Sequence, residues 1–188
     1  MTERRETEQE MMRRETAGRK TYGIRAWRVE DAADLVKAIN NPRVLANLRD
    51  GIPYPYREKD AREFISTMLS ADPEETFAWA ITADDRAVGS ISIFRCGNIH
   101  YRTAEMGYYL AEPYWGRGIV TFAVKEACQR IFSETDILRI FAEPFAYNRA
   151  SCRVLEKAGF ICEGTLQSNA FRDGKVLDMK MYARVKGD

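Results

Sequence analysis

Ligands for a soft metal are scarce in this chain of 188 residues. His100 is its only histidine, and its four cysteines, Cys96, Cys128, Cys152 and Cys162, include no Cys-x-x-Cys pair. That pattern supports neither a zinc site nor a disulfide framework, so no metal is expected and the four read as reduced thiols, mostly in the core. Long apolar runs are missing too: none approaches the ~20 residues of a bilayer span, and the N-terminus is charged where a secretory signal needs an apolar core. The expectation is therefore a cytoplasmic protein with no membrane partner. Charge of one sign is not in excess either, with 29 Lys+Arg against 28 Asp+Glu and a formal charge of +1. Without a basic run, no field recruits nucleic acid. Two phosphate-binding signatures are likewise absent. No Gly-x-x-x-x-Gly-Lys-Ser/Thr loop occurs, and Gly116-x-Gly118 lacks the third glycine of a dinucleotide fingerprint.

What remains is 45% apolar content in one domain-sized chain, enough for one good core and short for two. Residues 1–20 carry six basic and five acidic side chains and almost no aliphatic ones, so they cannot bury a face of their own and read as an appendage, free to pack against a second copy of the chain. Residues 21–188 read as a single domain. Strands are expected at 22–27, 77–81, 87–94, 104–110 and 137–142, with a closing hairpin of 160–170 and 175–185. Helices are expected at 31–39, 43–48, 58–69 and from Ile119 to Ile131, with a last one capped by Asn148 and stopped at Gly159. A helical crossover makes 137–142 parallel to 104–110. The fold class is α/β, a mixed sheet of about seven strands with helices on both faces.

The stretch from Ala104 to Thr121 organises the rest. Met106, Tyr108 and Leu110 alternate as a strand, Pro113 ends it, and Gly116-Arg117-Gly118 turns the chain into an apolar helix. The first turn of a helix carries unpaired N–H groups and the positive end of the dipole, and glycines let a phosphate approach them. Each such charge interaction is worth only ~0.3–1 kcal/mol when exposed, so a tight site needs several donors on one pyrophosphate. Taken alone, Gly-x-Gly is a weak signal, equally a tight connection with no ligand.

The run Ala-Glu-Met-Gly-Tyr-Tyr-Leu-Ala-Glu-Pro-Tyr-Trp-Gly-Arg-Gly-Ile resembles the acetyl-coenzyme A motif of the GNAT N-acetyltransferases. With Asn148-Arg149-Ala150-Ser151 and Leu155-Glu156-Lys157-Ala158-Gly159-Phe160 downstream, the chain is similar to the branch that acetylates N-termini of ribosomal proteins, over roughly residues 22–184. The resemblance implies a splayed pair of parallel strands at 104–110 and 137–142 whose gap takes the pantetheine arm. It implies acetyl-coenzyme A as co-substrate, held by Tyr109, Leu110, Trp115, Gly116, Arg117, Gly118, Ile119, Val120, Thr121, Asn148 and Ser151. Backbone N–H near Tyr109 and Leu110 would hold the oxyanion, Glu105 would take the amine proton, and Ser151 would protonate the thiolate. Tyr54, Tyr56, Trp79 and the loop 167–174 would surround the amine. Departures from the family pattern fall at Trp115, Val120, Leu155 and Ala170. A tyrosine acid is usual at the third of these, so the proton donor is left open.

Thioester aminolysis needs a neutral amine, an oxyanion donor and a proton for the leaving thiolate. Glu105 reads equally as a carboxylate on a solvated sheet face, and Ser151 as a first-turn serine bonding to backbone. Two functions follow: an N-acetyltransferase acting on a protein N-terminal α-amine or a small-molecule amine, or a non-catalytic acyl-coenzyme A binding regulatory domain.

Overall fold

A computed structural model of the chain describes residues 21–187; the tail at 1–20 lies outside the described residues. Seven strands are present, β1 Tyr22–Arg25, β2 Thr76–Ala83, β3 Arg86–Arg95, β4 Thr103–Leu110, β5 Arg139–Ala142, β6 Ile161–Arg172 and β7 Lys175–Val185. Five helices accompany them: α1 Ala32–Ile39, the one-turn α2 Pro42–Leu45, α3 Glu58–Ser70, α4 Ile119–Glu134 and α5 Arg149–Lys157. The strands form one sheet in the order β1-β2-β3-β4-β5-β7-β6. Only β4 and β5 pair in parallel, as their crossover through α4 requires.

Turn chemistry sets the hairpins. Asp84 and Asp85, at φ 50 and 64, join β2 to β3, and Asp173 and Gly174, at φ 50 and 75, join β6 to β7. Positive φ at both central residues gives the turn twist that flanking strands accept. Alternation along the strands then divides the core. On one face Ile81, Ile91, Ile93, Ala104, Met106 and Leu110 pack against Val124, Cys128 and Ile131 of α4 and Leu155 of α5. On the other, Ala80 and Ala87 meet Leu35 and Ile39 of α1 and Ala61 and Ile65 of α3. The helix stop read at Gly159 is present: Gly159 has φ 86 and Phe160 N–H returns 3.0 Å to the Leu155 carbonyl, as in a Schellman motif.

The sheet opens where function would need it. β4 runs to Leu110, yet its pairing with β5 covers only Thr103↔Arg139, Ala104↔Ile140 and Glu105↔Phe141. Beyond that the two strands diverge, and β3 alone holds the far half of β4, with Gly89 opposite Leu110. A methyl group at Gly89 would collide with the Tyr109 carbonyl oxygen and lie 3.1 Å from the Leu110 Cα. Gly89→Ala is therefore expected to cost roughly 1–3 kcal/mol, the range for forced overpacking, as a lowered midpoint in urea unfolding at unchanged slope.

Candidate active site

The splay leaves a cleft of about 610 Å³ that passes through the sheet and is lined from both faces. On the α4 side lie Tyr114, Trp115, Gly116, Arg117, Gly118, Ile119, Val120 and Thr121, with Asn148 and Ser151 of α5. Across the gap lie Val44, Leu48, Arg49, Phe94, Glu105, Glu143, Phe145 and Met179. Tyr108, Tyr109 and Leu110 form the wall between them.

Hydrogen-bond phase decides which backbone groups face the gap. Cys96 N–H to Thr103 O and Ala111 N–H to Val88 O, both 2.8 Å, bracket the β3–β4 ladder. In an antiparallel ladder alternate residues bond to the neighbour, so the odd residues of β4 pair with β3 and the even ones turn outward. The Tyr109 N–H is thus directed at β3, and the N–H groups of Tyr108 and Leu110 at the gap. The Leu110 carbonyl is already occupied, because the Trp115 indole Nε1 donates to it at 2.7 Å. Trp115, a departure from the pattern that the resemblance implies, staples the end of β4 to the glycine turn. Arg43, stacked 5.4 Å over its ring and ion-paired with Glu112, fixes that turn to α2.

Gly116 and Gly118 adopt φ 74 and 76, and at neither would a Cβ meet a protein atom within 4 Å. The concavity is backbone-walled and sits on the first turn of α4, which contains no acidic side chain. Its N–H groups and dipole suit a pyrophosphate, with the Arg117 guanidinium alongside. The residues present therefore fit the phosphates of a coenzyme A thioester.

At α5, Asn148 caps the helix by accepting from the Ser151 N–H at 3.1 Å. The Ser151 hydroxyl is not spent on backbone: its Oγ lies 2.8 Å from the hydroxyl of Tyr108. Burial pushes the Tyr108 phenol up, partly offset by that bond. The tyrosine missing at position 155 thus has a counterpart reaching Ser151 from β4, while Leu155 itself is fully buried. Nothing in the spacing of the sequence couples residue 108 to residue 151.

Glu105, on the other face of β4, is ion-paired with Arg49, whose Nη2 also lies 3.5 Å from Glu143 Oε2. Burial raises the Glu143 carboxyl, the neighbouring Glu105 charge adds to this, and Arg49 opposes it. Neither Arg49 nor Glu143 carries a motif, which is why sequence reasoning passed over them.

The aromatic residues read as surrounding the amine are corrected by the structure. Trp79 shares its strand face with Ile81, toward α4, with Arg130 stacked 6.0 Å above it. Tyr56 is buried between α1 and α3, where burial raises its phenol to about 12, and Tyr54 is exposed. None of the three lines the cleft; Phe94, Phe145 and Met179 do. From the loop 167–174 only Arg172 reaches over. Its guanidinium donates to the carbonyls of Leu45, Ala46 and Leu48, and Tyr147 donates to that of Ala46 at 2.7 Å. Residues 42–50 are thereby strapped to the far side of the cleft. His100 is exposed. Among the described residues no cluster of metal-ligating side chains occurs, and no helix is long and apolar enough to cross a membrane.

A mixed sheet split at one parallel pair, with a glycine turn and helix N-terminus beside the split, defines an acyl-coenzyme A-binding fold. Residues 22–161 match the acetyltransferase (GNAT) domain, and the chain belongs to that family. It is 36% identical over 120 residues to the "Probable N-acetyltransferase YjcK" of Bacillus subtilis, covering 64% of this chain and 66% of that protein. It is 30% identical over 105 residues to the ribosomal-protein-serine acetyltransferase of Escherichia coli, covering 56% and 58%. Among solved structures, a ribosomal L7/L12 α-N-protein acetyltransferase in complex with coenzyme A superposes with a TM-score of 0.78 at 23% identity, covering 88% of this chain and 94% of that one; this likeness bears on the fold.

Proposed function

We propose that the protein is a cytoplasmic N-acetyltransferase in which residues 21–188 act as one catalytic unit, moving acetyl from acetyl-coenzyme A to the α-amine of a protein N-terminus or to a small-molecule amine by direct attack. The observation that carries this reading is the through-sheet cleft, with a phosphate cradle on one face and a carboxylate on the other. The coenzyme supplies an acyl group activated as a thioester. Gly116, Gly118 and the first turn of α4 hold its phosphates, and Asn148, with its amide nitrogen free of the cap, faces the same side. The Leu110 N–H, directed into the gap with its own carbonyl already bonded, is placed to stabilise an oxyanion. Glu105 receives the amine proton from the opposite face. The four free cysteines agree with a reducing compartment.

The Ser151–Tyr108 hydroxyl pair favours an enzyme over a binding domain, since a mere coenzyme carrier has no need of a proton donor there. Ser151 gives its proton to the leaving thiolate and Tyr108 orients the hydroxyl. That proton is needed only as the carbon–sulfur bond breaks, so Ser151→Ala is expected to lower kcat by about 10–100-fold with little change in the KM for acetyl-coenzyme A. Tyr108→Phe should move kcat in the same direction by less. A Ser151→Ala variant with full kcat and a lowered Tm would make the residue structural. The reading as a whole is tested by thiol release from acetyl-coenzyme A with a panel of free-N-terminal peptides, small amines and lysine side chains; coenzyme binding without turnover on any acceptor would leave the regulatory-domain alternative.

A further inference from the structure

We propose that Arg49 occupies the seat of the acceptor's ammonium group, and that Glu105 and Glu143 together form that seat, so that the acceptor is a primary amine carrying no carboxylate beside it. This rests on the acetyltransferase reading and specifies its substrate class. The argument begins from position. Glu105 lies at the last β4–β5 pair and Glu143 immediately follows β5, so the two carboxyl groups flank the point where the strands part. Both line the cleft on the face away from the glycine turn. Any amine reaching the gap from that face passes between them.

A cation already bridges the pair. The Arg49 guanidinium touches both carboxylates, yet its side chain is 60% exposed while those of Glu105 and Glu143 are 30% and 20% exposed. The carboxylates are the fixed part and the guanidinium the mobile one. Arg172 fastens the strap on both sides of position 49, through the carbonyls of Leu45, Ala46 and Leu48 and through the Asp50 carboxylate, so the Arg49 backbone stays while its exposed side chain can swing to solvent. An incoming ammonium replaces one cation by another and leaves no carboxylate bare. Leaving one bare would be costly in a half-buried site.

Charge also limits the acceptor. Two carboxylates and one guanidinium sum to a single negative charge at the throat, and burial together with Glu105 already disfavours the ionised form of Glu143. The other ionisable group against Glu105 is the Cys96 thiol, itself raised by burial and by the Glu105 charge. The Arg172 guanidinium, 6.0 Å over the Phe145 ring on the same face, is held by the carbonyls of Leu45, Ala46 and Leu48 and by Asp50 and Asp173, so with Arg49 displaced the groups left to face whatever lies beside the amine are the two carboxylates. An α-carboxylate there is repelled; an amide is not.

Alaninamide and alanine make the test, because they differ at that one group. With the full chain and saturating acetyl-coenzyme A, kcat/KM per free base is expected to favour alaninamide at least tenfold. Arg49→Ala should lower the KM for alaninamide several-fold and leave the KM for acetyl-coenzyme A unchanged, since the competing cation is gone. Glu143→Gln should raise the alaninamide KM about tenfold, with Glu143→Asp in between. Arg49→Ala raising the alaninamide KM, or abolishing use of alanine in preference to alaninamide, would overturn the proposal by making Arg49 a substrate contact. An unchanged KM in Glu143→Gln would overturn it as well. Should no variant turn over, calorimetric binding of alaninamide to the coenzyme A complex carries the same ranking, and no binding to wild type or Arg49→Ala overturns it. Binding that follows the ranking without thiol release would fault the catalytic reading alone.

Discussion

Gly118→Asp is expected to weaken acetyl-coenzyme A binding at least 100-fold while the domain stays folded. Gly118 is the N-cap of α4 at φ 76, facing open space. Aspartate visits that left-handed conformation, as Asp84, Asp85 and Asp173 do in this chain, but its side chain fills the cradle and projects a charge against the phosphates that the helix N-terminus attracts. Blocking several N–H donors at once and setting a like charge against the pyrophosphate is expected to cost at least the ~2.7 kcal/mol that corresponds to 100-fold. Gly118→Asn separates charge from bulk, since asparagine shares aspartate's shape and backbone tolerance and carries no charge; its loss should stay within about tenfold. Calorimetry with acetyl-coenzyme A reads both variants, and unchanged affinity in the aspartate variant would remove the phosphate cradle.

The second large effect is expected at Glu105, and its size depends on pH. An α-amine has a reference pKa of ~7.7–8.0 and a lysine amine ~10.4, so near neutrality the free-base fraction favours the α-amine by two to three orders of magnitude. A carboxylate can remove the small remaining protonation cost from an α-amine far more readily than from lysine. Glu105→Gln should therefore lower turnover by roughly 10²-fold near pH 6.5, within the range for general bases. The loss should shrink to a few-fold at pH 9, where α-amines are free base without help. The same profile predicts that peptides with free N-termini outpace lysine side chains for the unmutated protein. A defect independent of pH would deny Glu105 the role of base, and faster lysine acetylation would refute the acceptor class.

The coenzyme side of this site could be read from the chain because its parts are contiguous. Strand, glycine turn and helix follow one another from Thr103 to Glu134, and local geometry alone brings their donors together. The acceptor side is assembled differently. Arg49, Glu105, Glu143 and Arg172 come from four separate segments and meet only once the sheet has closed. No spacing rule links them. Trp79 is likewise placed by the resemblance, and in the structure it shares the α4 face of β2 with Phe77 and Ile81, because a period of two along a strand does not say which face of the sheet an acceptor will occupy. Tyr54 and Tyr56 are placed around the amine by the family resemblance alone, whereas in the structure Tyr54 is exposed and Tyr56 completes the core under α1 and α3. The pairing of Tyr108 with Ser151 shows the converse, a contact made from a strand 43 residues earlier in sequence that no local motif announces.

The position of β7 has a consequence for how the protein is made. It is the last strand of the chain but not an edge of the sheet, since it lies between β5 and β6 and pairs with both. Until residues 175–185 are available, β5 has one neighbour and β6 none, and the carbonyls of Leu45, Ala46 and Leu48 have no guanidinium from the hairpin to bind. A chain emerging from the ribosome can complete the glycine turn and α4 early. It cannot close the acceptor wall until residues 175–185 are free. A truncation before them that spares the glycine turn and α4 therefore still leaves that wall open.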